Sequence, residues 1–152
     1  MTLEEFIVQY PSLNEKTEML EKAGFEGEID TFKVVAYLIK NGDIQNLKAL
    51  IDAGYDVNSS EKGDFGSSLL HNAIRYEQME IFTYLIEQGA NIDFIDAVGW
   101  TPLMEAVIDG KVTFGQILVD KGCDQSIANK RGATAKMMAM KFGQQAFLDF
   151  LN

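Results

Sequence analysis

The sequence has 152 residues, 47% of them hydrophobic, which suffices for one domain with a sizeable buried core. Its formal charge of -10 opposes nucleic-acid phosphate and anionic lipid, so neither nucleic acid nor membrane is an expected partner, and a basic partner is favoured. One cysteine, Cys123, excludes an intrachain disulfide; the start is acidic where a leader would be cationic, and no apolar run nears the ~20 residues of a membrane span, so a cytoplasmic monomer is expected.

Residues 1–30 hold eight acids and two lysines, net -6. Thr2 with Glu5 and Ser12 with Glu15 each have the spacing of a reciprocal N-cap, Pro11 stands between them, and Gly24 can close the second. Two helices are predicted, with Leu3, Phe6, Ile7, Met19 and Leu20 on their apolar faces. Their expected role is to cover the exposed side of the next unit, as an N-terminal helical cap or a degenerate repeat.

Four similar units follow, at about 31–62, 63–95, 96–128 and 129–152. The first contains "AYLIKNGDIQNLKALIDAGYDVN", where Ile44, Leu47, Leu50 and Ile51 recur at helical spacing and Gly54 stands where the helix should end. The second reads "SSLLHNAIRYEQMEIFTYLIEQGANID". In the third, "GWTPLMEAVIDGKV" is one short helix with its own start and stop: Thr101 can cap it, Pro102 loses no hydrogen bond at the first position, and Gly110 ends it. The fourth, "RGATAKMMAMKFGQQAFLDFLN", begins the same way and stops after its second helix. Residues 125–152 carry Lys130, Arg131, Lys136 and Lys141 against Asp149 alone, so the chain is acidic at one end and mildly basic at the other. Solvated surface is the simplest reading of both ends.

The register is measurable. Gly66, Gly99 and Gly132 stand 33 residues apart, as do Ala73, Ala106 and Ala139. Leu50, Leu85 and Leu118 are spaced 35 and 33, the longer step fitting a longer loop around "SSEKGD". A single pair of short helices cannot cover its own apolar face, so neighbours must stack, with these leucines forming one seam. Ala73 and Ala106 mark close helix approaches, and Ala90 and Cys123 read as small buried fillers.

"GWTPLMEAV", "SLLHNA", "EQGANID" and "AGYDVN" together resemble the ankyrin repeat family, over about residues 31 to 152 and at that family's ~33-residue period. Departures are the missing Thr-Pro in "FKVVAYL", Ser68-Leu69 in the second unit, and Lys136 after Thr134-Ala135 in the fourth. The resemblance implies an all-α solenoid of stacked helix-turn-helix units with β-turn tips, whose terminal units serve as caps. It also implies a non-catalytic module that binds another protein with its turn tips and the concave face of each first helix. Carried over singly, those positions are Asp64, Phe65 and Ser67 on one turn, and Ala97, Val98 and Trp100 on the next. Arg75, Tyr76, Ile108, Asp109, Lys40 and Asn41 lie at the helix ends, and Lys130 and Arg131 on the last turn. Phe65, Val98, Trp100 and Tyr76 are costly to leave in water, and aromatics commonly anchor interfaces. The competing reading is that some fold back on the next turn.

No enzymatic constellation is visible, and no cofactor or metal is expected. His71 is the one histidine, and the resemblance implies a structural role for it, bonding turn backbone. Asp93, Asp96 and Asp109 lack the alternating ligands of a calcium loop and read as turn residues. The expected function is therefore that of an inhibitor, immunity protein or chaperone for a basic protein. The alternative is an enzyme or small-ligand sensor using the concave groove.

Overall fold

The computed structural model describes residues 1–63 and 65–152, and Asp64, named above as a turn position, lies outside them. Among the described residues all regular structure is helical. The N-terminal segment forms α1 (Leu3–Gln9), a 3₁₀ stretch (Pro11–Lys16) and α2 (Thr17–Lys22). Four antiparallel pairs follow: α3 (Thr31–Lys40) with α4 (Ile44–Asp52), α5 (Leu69–Arg75) with α6 (Met79–Glu87), α7 (Pro102–Ile108) with α8 (Val112–Asp120), and α9 (Ala135–Lys141) with α10 (Gln145–Leu148). The first helices stack in order, α3 on α5 on α7 on α9, which makes an all-α solenoid. Among the described residues no helix is long and apolar enough to cross a membrane.

Short side-chain caps start the first helices. Asp30, Ser68, Thr101 and Thr134 each accept an N–H of the first turn of α3, α5, α7 and α9, as Asp43 does for α4. Each satisfies a backbone donor that a seven- to ten-residue helix would otherwise leave open. Thr2 and Glu5 close a complete capping box on α1. Ser12 and Glu15 do not form theirs. Pro11, its φ already set for a helix, starts the turn one residue earlier with Tyr10 at the N-cap, and the expected second helix divides into a 3₁₀ stretch and α2.

Burial follows the repeat. Leu50, Leu85 and Leu118 are fully buried, as are Ala73, Ala106 and Ala139, and Ala90 and Cys123 are nearly so. The core also runs through the N-terminal segment, where Phe6, Leu13 and Leu20 are closed off from solvent. Its attachment is local: Lys16 pairs with Asp43 at 3.4 Å, and the Tyr10 ring meets Tyr55 edge-on at 6.2 Å. In the outer layer Phe82 of α6 and Phe114 of α8 meet edge-on at 5.0 Å.

One position breaks the pattern of helix ends. Gly42, Gly110 and Gly143 follow α3, α7 and α9 with φ of 68°, 66° and 64°, but after α5 the same left-handed conformation falls to Glu77, at φ 55°. A side chain there costs roughly 1–2 kcal/mol, and the ion pair from Glu77 to Lys111, 2.6 Å, is too exposed to offset much of it. Glu77→Gly is expected to be more stable than Glu77→Ala by about 1 kcal/mol in urea unfolding. Both variants lose the ion pair, so their difference isolates the backbone. An Ala variant equal to the Gly variant would show that no strain resides there.

Candidate functional site

The tips of the units are built from turns that a carboxylate or amide holds closed. Asp96 Oδ1 accepts the N–H groups of Val98 (3.0 Å) and Trp100 (2.7 Å), while the Asp96 N–H donates to the Trp100 carbonyl. Asn129 repeats this one unit later, accepting from Arg131 and Ala133. Successive tips are also tied together. The Ala97 N–H donates to the Phe65 carbonyl at 2.8 Å, and the Lys130 ammonium donates to the Ala97 carbonyl. Gly99, at φ 86°, lies so close to the next tip that a Cβ there would stand 2.8 Å from the Lys130 nitrogen. The row of tips is therefore held by a continuous set of hydrogen bonds, with Phe65 exposed on it and Val98 and Trp100 half-buried.

His71 locks the second unit to the third. Its Nε2 lies 3.2 Å from the Trp100 carbonyl, which can only accept, so the proton is on Nε2. Nδ1 then accepts from the Ser68 hydroxyl (2.8 Å) and the Ser68 N–H (3.3 Å). Burial opposes a charge on this ring and lowers its pKa to about 4, against the nearby Asp96, which favours protonation. It is a neutral, fully engaged histidine. Burial first, and then Asp93 and Asp124, push the Cys123 thiol up to about 11, so it remains an unreactive thiol at neutral pH. Asp93 accepts the Asp124 N–H at 2.8 Å, a turn-to-turn bond between neighbouring units.

Between the last two tips and the ends of α7 and α9 lies an open groove of about 810 Å³. Phe65, Val98, Trp100, Ile108, Met137 and Phe142 form its apolar wall, and Lys130, Arg131 and Lys141 its charged rim. Phe65 is 59% exposed and Phe142 50%, and together with Met137 they form a contiguous exposed apolar patch.

Residues 34–129 match the ankyrin repeat profile, which spans three copies of the repeat. The chain belongs to the ankyrin repeat family. It is 34% identical to an ankyrin repeat protein of fowlpox virus over 99 residues, 65% of this chain and 23% of that one. It is 32% identical to protein phosphatase 1 regulatory subunit 27 of Mus musculus over 94 residues, 62% of this chain and 60% of that one. With protein phosphatase 1 regulatory subunit 12A of Mus musculus it shares 40% identity over 70 residues, 46% of this chain and 7% of that one. The chain thus spans less than two thirds of the length of each of these relatives.

Within this ankyrin array the carried-over positions divide. Phe65, Val98, Trp100, Ile108, Lys130 and Arg131 converge on the groove. Ala97 sits exposed at its tip, with both backbone groups spent on the tip-to-tip bonds. Ser67 is buried, its hydroxyl accepting from Arg75 at 3.3 Å. Arg75 turns to Glu105, Nε to Oε1 2.8 Å, and desolvation pushes this buried carboxyl up while the guanidinium holds it down. Tyr76 lies under the Lys40 ammonium, 5.8 Å from its ring centre, and Asp109 is exposed at the end of α7. Asn129, Ala133, Met137, Met138, Lys141 and Phe142 also line the groove and were not among the expected positions. The period could have found the last two, because Phe142 falls one 33-residue step after Asp109, and Lys141 one step after Ile108.

Proposed function

We propose that this ankyrin array is a non-catalytic protein-binding module that meets its partner with the tips of its second to fourth units and the adjoining ends of their first helices. The observation that carries this reading is the groove, where large apolar side chains stand exposed on a backbone held by hydrogen bonds. A rigid paratope loses little entropy on binding, and half-exposed aromatics are the groups whose burial gains most. Two of the relatives are by name regulatory subunits of protein phosphatase 1, which supports a role in regulation through contact. The net charge of -10 favours a partner that is basic overall, as an inhibitor, immunity protein or chaperone would need. Within this reading residues 1–30 cap a stack of four repeats, about 31–62, 63–95, 96–128 and 129–152, acting as a cytoplasmic monomer. A small-ligand sensor is the second reading, favoured by a groove volume inside the ~300–1,000 Å³ of ligand sites.

Trp100→Ala is the test. With the partner identified by affinity purification and mass spectrometry, the variant is expected to bind more weakly by roughly 2 kcal/mol or more in calorimetry, while its unfolding midpoint shifts much less. Its backbone bonds to Asp96 and His71 do not need the indole. Undiminished binding together with a large loss of stability would assign Trp100 to packing between repeats.

A further inference from the structure

The rim of the groove has the opposite sign to the molecule. Lys130, Arg131 and Lys141 surround an apolar wall containing Phe65, Trp100 and Phe142, and among the described residues no carboxylate lines it. None of the three cations is in an ion pair with a described residue. The nearer acids are already committed: Glu105 to Arg75, and Asp96, nearly buried, to the backbone of its own turn. Among the described residues Asp109 stays exposed beside Ile108. Of the net charge of -10, -6 falls on residues 1–30, which are remote. First helices stack at roughly 8–10 Å, which puts α9 about 25–30 Å from α3, and the acidic N-terminal segment lies beyond α3. Charges are screened over about 8 Å at physiological salt. Long-range approach follows the net charge, but an occupant of the groove meets the cations.

Building on the reading of the groove as a protein-contact surface, we propose that its occupant is an acidic amphipathic segment: apolar side chains against Trp100 and its neighbours, with Asp or Glu on the rim. The apolar wall supplies affinity, and the three cations select the sign of the flanking residues. A partner that is basic overall and contributes such a segment satisfies both the long-range and the local field.

Trp100 is the only tryptophan of the chain, so its emission reports this groove and no other surface. The probes are a short synthetic peptide alternating Glu with Leu and Phe, and its twin with Lys at every Glu. The acidic peptide is expected to shift Trp100 emission and to bind about tenfold tighter than its twin, a margin that shrinks as salt is raised. Arg131→Glu with Lys141→Glu should erase or reverse the order. Lys130 is left in place because it ties the tips, and Arg131→Gln with Lys141→Gln, expected to narrow the margin, replaces the reversal if the first pair perturbs folding. If the Lys twin shifts Trp100 emission as well as the acidic peptide or better, the groove still binds protein but the assignment of sign is overturned. If neither peptide moves Trp100 emission up to millimolar concentration, the reading of the groove as a contact surface falls too.

Discussion

Leu85→Ala is expected to lower the unfolding free energy by about 2–5 kcal/mol, the usual cost of deleting a buried leucine side chain and leaving a partly relaxed cavity. Leu85 is fully buried on α6, the middle member of the seam it makes with Leu50 and Leu118. An array of this kind is held by the sum of its unit and nearest-neighbour terms, so a cavity in an inner unit weakens two interfaces at once. A loss of this size is a large share of the ~5–15 kcal/mol that holds an ordinary domain. The exposed Glu87→Ala on the same helix serves as control and should change stability by no more than about 0.5 kcal/mol. Urea unfolding of the three proteins checks this, and a Leu85→Ala cost below about 0.5 kcal/mol would mean that the seam is not continuous through α6.

The second large effect is on pH. His71 binds its proton with an ordinary pKa near 6.5 in the unfolded chain and with one of about 4 in the fold. Above pH 6.5 it is neutral in both states and contributes no pH dependence. Below that, the unfolded chain holds a proton that the fold refuses, so stability falls by about 1.4 kcal/mol per pH unit until the folded histidine also titrates near pH 4. The accumulated loss is on the order of 3 kcal/mol. The cause is burial, and a proton on Nδ1 would in addition point at the Ser68 N–H, itself a donor. Glu105 acts with the opposite sign, since its raised pKa makes the fold take up a proton before the unfolded chain does as the pH drops. The decisive measurement is therefore the difference between wild type and His71→Gln across pH 4 to 7. Its expected slope lies wholly below pH 6.5, and parallel stability curves would show that the ring titrates freely in the fold.

What the sequence could carry was whatever is encoded within a few residues or by a fixed period. Thr101 before Pro102, the Gly that follows most of the helices, and the 33-residue recurrence of small and apolar residues are local facts. They were enough for most of the helices, the solenoid, the buried seam and the burial of Cys123. The Ser12 expectation failed on an equally local competition, in which Pro11 starts its turn first.

The site was legible only where it repeats. Turn positions such as Phe65, Val98 and Trp100 could be named from the period, because each unit presents the same positions at its tip. Arg75 turned inward because Glu105, 30 residues away, places a carboxylate in the interior that needs a counter-charge. The sequence by itself determined the repeat and its core, since burial within a helix pair depends on spacing along one or two turns. The tertiary structure alone decided that Phe65 and Phe142 share one groove with three cations, because how far each unit shifts and turns on the next is set by packing across the whole stack.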